Sequence, residues 1–88
     1  MHFITLVKLR RKPTKEEIEK MEEAIRHPRE GTRIRFVFWT LGRYDMVFYT
    51  EGPDPVMALS TVLPFFDFAS TETLVAVSRE EALKALGI

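Results

Sequence analysis

Cysteine is absent from the 88-residue chain, which excludes a disulfide framework and any thiolate zinc site. A chain without thiols fits a reducing, cytoplasmic compartment. Asparagine and glutamine are absent as well, while charged residues make up 30% of the sequence. Avoiding thermolabile amides while enriching Lys, Arg and Glu is a trend of hot-environment proteins, so a thermophilic source is the expectation. No apolar run approaches the ~20 residues of a membrane helix. The opening MHFITLVKLRRK does not read as a signal peptide, because its apolar part alternates with polar residues and its basic cluster comes afterwards. A soluble protein is expected. There is no Gly-rich phosphate loop and no Gly-x-Ser-x-Gly elbow. The histidines, His2 and His27, have no spacing that would make them a metal pair. No cofactor or metal is called for.

What is present is 45% hydrophobic residues, which places the chain among globular domains. Its length suits one domain over residues 1–88. A domain this small buries only roughly two-thirds of its unfolded surface, so burial against a partner would help it. Net charge is zero, yet residues 1–43 carry 11 Lys/Arg against 6 Asp/Glu and residues 44–88 carry 2 against 7. In a compact fold such halves interleave into a mixed surface, so nucleic acid is not an expected partner.

His2–Leu9 is rich in β-branched and aromatic residues and reads as a strand, apolar on both faces, as a central strand would be. Thr14-Lys-Glu-Glu17 is a capping box. The helix it opens carries Ile18, Met21 and Ile25 on one narrow stripe and ends before Pro28 and Gly31. Arg33–Leu41 and Tyr44–Thr50 read as a hairpin around Gly42-Arg43, a two-residue turn with glycine first. That register sets Trp39 against Met46, Val37 against Phe48, Phe38 against Val47, Thr40 against Asp45 and Leu41 against Tyr44. Asp54-Pro55 opens a second helix with Val56, Leu59 and Val62 or Leu63 inward. An aromatic connector, Phe65-Phe66-Asp67-Phe68, leads to a strand over Ser70–Val77. Ser78-Arg-Glu-Glu81, a second capping box, opens a short terminal helix.

The order βαββαβ plus a short C-terminal helix is that of an α+β, ferredoxin-like fold. Right-handed crossovers place both long helices on one side of a four-stranded antiparallel sheet. The strands are nevertheless apolar on both faces. One face, carrying Val37, Trp39, Met46 and Phe48 or else the alternate set, is left uncovered, and such a patch marks an interface or a ligand groove. Sheet-to-sheet packing of two copies, a dimeric α/β barrel, is expected, with further assembly open.

The block WTLGRYDMVFYTEGPD resembles the signature of the GYD family of small stand-alone proteins. ITLVKL, the Trp-Thr-Leu-Gly-x-Tyr-Asp core, Pro-Asp before the second helix and a late Thr-x-Thr strand extend the likeness over most of the chain. The first helix and the Phe-rich connector show no specific match. The resemblance implies a ferredoxin-like oligomer of largely unassigned function. The Gly-x-Tyr-Asp hairpin is similar also to the effector-binding module of Lrp/AsnC regulators, which implies sheet-mediated dimers that bind amino acids or similar small molecules near subunit contacts.

The candidate ligand-binding residues are accordingly Trp39, Gly42, Arg43, Tyr44 and Asp45. Each has a plainer alternative. Asp45 reads first as a structural carboxylate taking bonds from turn amides or the Thr40 hydroxyl. Tyr44 and Trp39 are interface packing or pocket walls. Arg43 is a solvated turn residue or a two-pronged clamp on a ligand carboxylate. Gly42 shapes the turn. Arg33 and Arg35, read on the face of Trp39, either reach the rim of an interface or supply an anion site. No second acid or base accompanies Asp45, so no catalytic residue is assigned. The expected function is a non-enzymatic, homo-oligomeric small-molecule sensor or binding module. The alternatives are a dimeric α/β-barrel enzyme of the cofactor-free monooxygenase or isomerase type, and a structural oligomerisation module.

Overall fold

A computed structural model describes residues Met1–Ile88. Its elements are β1 (His2–Leu9), α1 (Lys15–Arg26), β2 (Arg33–Trp39), β3 (Met46–Glu51), α2 (Pro55–Val62), β4 (Ala69–Ala76) and α3 (Arg79–Ala85). The sheet order is β2-β3-β1-β4 with every pairing antiparallel, and the fold is ferredoxin-like. No helix is long and apolar enough to cross a membrane.

Helix boundaries follow the capping chemistry. Thr14 accepts from the Glu17 amide, and the Glu17 carboxylate accepts from the Thr14 amide, so the box is complete. Asp54 accepts from the Met57 amide ahead of α2. Ser78 accepts from the Glu81 amide ahead of α3, but the Ser78 amide makes no return bond to the Glu81 carboxylate, so the second box is half made. Arg11 adds a two-pronged bond to Glu17, at 2.7 and 2.9 Å. This bond, with the Thr14 amide next, holds the Glu17 carboxyl down to about 2. A depressed carboxyl supports the fold above its unfolded value, near 4.5, and loses that support as pH falls toward 2. A melting-temperature series across this window should therefore show a shallower acid limb for Glu17→Gln than for the wild type. Coincident limbs would show the pair to be without effect on stability.

One face of the sheet meets both long helices. Phe3, Thr5 and Val7 of β1 and Met46, Phe48 and Thr50 of β3 are all buried. Val7, Met46 and Phe48 join Met21 of α1, Val62 of α2 and the connector residues Phe65 and Phe68 in one core, flanked by Leu9, Ile18, Ile25 and Val37. The Phe-rich connector is thus a core element: Phe65 stacks on Phe48 with ring centroids 5.6 Å apart. In α2 the inward residues are Ala58 and Val62, whereas Val56, Leu59 and Leu63 are largely exposed, which departs from the expected stripe. The small Ala58 lets the helix sit close to the sheet, and the bulkier side chains lie on its outer surface.

The face left open is the alternate set. A bulge between Ile34 and Phe36 shifts the register of β2, so that Arg33 pairs with Glu51, Ile34 with Thr50, and Phe36 with Tyr49. Ile34, Val37 and Trp39 therefore share the helix side with Met46 and Phe48. Phe36 and Phe38 lie on the other side with Val47 and Tyr49. Strict alternation misplaces Ile34 beside Phe36, and it misplaces Arg33 and Arg35 on the side of Trp39. The extra residue in the bulge resets the phase. Ile4, Leu6 and Leu74 complete the open face by the pairings of β1 with β3 and β4. None of these side chains is buried, and Phe38 is 59% exposed. The molecule measures 48 × 32 × 17 Å, and its thin dimension accommodates one sheet and one helix layer. α3 buries none of its residues, and Leu86 and Ile88 beyond it are 71% and 84% exposed.

Candidate functional site

The loop from Thr40 to Asp45 closes differently from a two-residue hairpin. The ladder ends at Trp39–Met46, and Leu41 is fully exposed with no backbone bond to Tyr44. The Thr40 amide donates to the Asp45 carbonyl at 2.9 Å, and the Thr40 hydroxyl donates to the Tyr44 carbonyl at 2.8 Å. Gly42 takes the positive φ expected of it, at 122°. The cause of the wider loop lies in β1. The Asp45 amide donates to the Val7 carbonyl at 2.8 Å, and the Asp45 carboxylate accepts from the Leu9 amide at 2.8 Å, with Lys8 Nζ 3.6 Å away. The Asp45 carboxylate is thus bonded into the fold. Its partner is the end of the neighbouring strand, not the turn amides or the Thr40 hydroxyl.

The other hairpin residues separate. Trp39, on the helix side of the sheet, is 56% exposed because no helix reaches it. The Tyr44 hydroxyl donates to Glu72 of β4 at 2.9 Å. Glu72 pairs with Leu6 and so stands on the open face. That bond, followed by loss of water, raises the phenol above its ordinary value. The Arg43 guanidinium lies 5.8 Å from the centre of the Tyr44 ring, within reach of a cation–π contact. Arg43 and Tyr44 thus come together beside the open face, while Trp39 and the Asp45 carboxylate point to other tasks.

A second polar group occupies the opposite end of that face. The Tyr49 hydroxyl donates to Glu51 Oε1 at 3.0 Å and lies 2.6 Å from His2 Nδ1. Arg35 Nε is 3.7 Å from the same Glu51 oxygen. Burial first, and the bond to Glu51 second, raise the Tyr49 phenol. The Tyr49 ring also meets Phe36 edge-on, with centroids 5.5 Å apart. Reading the sequence residue by residue misses this cluster, because its members come from β1, β2 and β3. The only local signal is the Tyr49–Glu51 spacing of two, which puts both on one face of a strand.

Hollows open at several places on the chain. One of about 260 Å³ is lined by His2, Ile4, Tyr49, Ala76, Val77 and Ser78. Another, of about 240 Å³, lies between the end of α1 and α2, with His27, Arg29, Ser60 and Thr61 among its walls. Phe3, Leu59 and Val75 help line a third of about 250 Å³ beside α2. Trp39, Gly42, Arg43, Tyr44 and Asp45 line none of these. No three His, Asp or Glu side chains gather as a metal would require.

No family model matches the chain, and no curated protein matches it. Among solved structures it is similar to the crystal structure of a hypothetical protein from Pyrococcus horikoshii, with a TM-score of 0.56 over 91% of this chain and 93% of that one, at 16% identity. What the two share is the fold. Function has to be argued from the site.

Proposed function

We propose that the chain is a homo-oligomeric small-molecule-binding module, whose open sheet face packs against a second copy and whose ligand sits at or near that contact. The observation that carries this is an excess of surface. The chain exposes 6293 Å², whereas a folded monomer of 10.3 kDa exposes about 5,400 Å². The surplus, about 900 Å², is close to the ~800 Å² that each partner contributes to a stable interface. α3 buries none of its residues, and none of the side chains named on the open face is buried. Extension is visible also in the radius of gyration, 14.1 Å, against about 12 Å for a compact chain of this length. A second copy is the occupant favoured here because it offers the same apolar face, without needing a partner of another kind.

Small-molecule binding is supported by two bonded groups of polar side chains that flank the apolar part of the open face, Arg43–Tyr44–Glu72 at one end and His2–Tyr49–Glu51–Arg35 at the other. Pockets commonly pair apolar walls with a few placed polar groups. The likeness of the Gly-x-Tyr-Asp hairpin, residues 42–45, to effector-binding modules points the same way. Light scattering on the eluting protein, together with a thermal-shift screen of amino acids and small acids, tests the reading. A dimer or larger species with a stabilising compound supports it. An oligomer that no compound stabilises leaves a structural module, and a monomer at high concentration removes the proposal.

A further inference from the structure

The hydrogen bonds around Tyr49 put a hydrogen on Nδ1 of His2, which also lies 3.9 Å from Glu51 Oε1. The Glu51 carboxylate can only accept, so the single phenolic proton of Tyr49 is spent on Glu51 Oε1. The 2.6 Å contact between Tyr49 Oη and His2 Nδ1 then needs a hydrogen on Nδ1. A neutral imidazole protonated at Nδ1 carries its lone pair on Nε2, and Nε2 has no partner in the chain. His2 lines the hollow of about 260 Å³ at the foot of α3. Ser78 lines the same hollow; its oxygen accepts from the Glu81 amide and its own hydrogen is uncommitted. Ile4, Ala76 and Val77 supply apolar walls.

We propose that this hollow is a binding site for a small apolar amide, with the ligand N–H donating to His2 Nε2 and its carbonyl accepting from the Ser78 hydroxyl. The proposal deepens the binding-module reading and rests on it. Glu51, Tyr49 and Arg35 act as positioning residues: they set the tautomer, and the tautomer sets the ligand class. A carboxylate has no hydrogen to offer and would place its lone pairs against that of Nε2. Amide and acid of the same shape are therefore told apart by one proton.

Long-range nitrogen–proton NMR of the imidazole at mildly alkaline pH reads the tautomer directly. The expected result is a hydrogen on Nδ1 in the wild type and loss of that preference in Tyr49→Phe. A hydrogen on Nε2 in the wild type overturns the proposal whatever the oligomeric state. Benzamide and benzoate are the ligand probes, titrated while the Nε2 signal is followed. Benzamide should bind at least about tenfold more tightly than benzoate, His2→Phe should abolish its binding, and Ser78→Ala should weaken it about tenfold. Equal binding of the two probes, or none, overturns the amide class. Light scattering on the same samples reports separately on the second copy, so a failed site and a failed oligomer are distinguishable.

Discussion

Phe38→Asp is expected to turn the proposed oligomer into a monomer. Phe38 stands on the open face, opposite Val47, and is 59% exposed in the single chain, so its removal leaves the core of Met21, Met46 and Phe48 untouched. In a twofold contact the change enters twice. At about 2 kcal/mol for each aromatic side chain buried in the contact, the loss is about 4 kcal/mol, or on the order of a thousandfold in dissociation constant. A carboxylate stranded between apolar faces adds to it. Leu41→Asp is the control: Leu41 is fully exposed in the loop beyond the ladder, and its substitution should leave the mass unchanged. Sedimentation or light scattering over a dilution series measures both. If Phe38→Asp retains the wild-type assembly, the open face is not the contact.

The second large effect concerns Asp45. Asp45→Ala should lower stability by about 1–3 kcal/mol, because the Leu9 amide loses a charged acceptor at 2.8 Å while remaining partly shielded from water. For a domain of this size each kcal/mol is worth roughly 4–8 °C in melting temperature. Asp45→Asn keeps an acceptor oxygen and should recover most of the loss. Denaturant melts at one fixed protein concentration check this, since the proposed assembly would make the midpoint concentration-dependent. An unchanged midpoint for Asp45→Ala would remove its structural role and return Asp45 to the list of ligand contacts.

Legibility in the sequence divides by range. Thr14 with Glu17, and Asp54 with Pro55, announce their helices because each signal is complete within four residues. Ile18, Met21 and Ile25 declare an inner face for the same reason, and the order of elements then leaves few sheets to choose from. What the sequence hides is set between strands. The bulge near Arg35 follows from how β2 lies along β3, so alternation alone puts Ile34 on the wrong side. Asp45 looks like a turn residue until β1 arrives with the Leu9 amide. His2, Tyr49, Glu51 and Arg35 look unrelated until pairings such as His2 with Glu51 place them side by side. Trp39, Gly42, Arg43, Tyr44 and Asp45 make one local block in the sequence, and the fold divides them between two faces and a strand end.

The central position of β1 has a kinetic consequence. Its neighbours on either side are β3 and β4, and the ladder with β4 joins His2 to Ala76. Neither edge of β1 can be satisfied by the residues that follow it directly. Loop closure must be completed over most of the chain before the middle of the sheet exists, which is the signature of a slow folder for its size. Until then an apolar ribbon with two bare edges waits in solution, and recombinant yield should depend on how quickly the rest of the polypeptide reaches it.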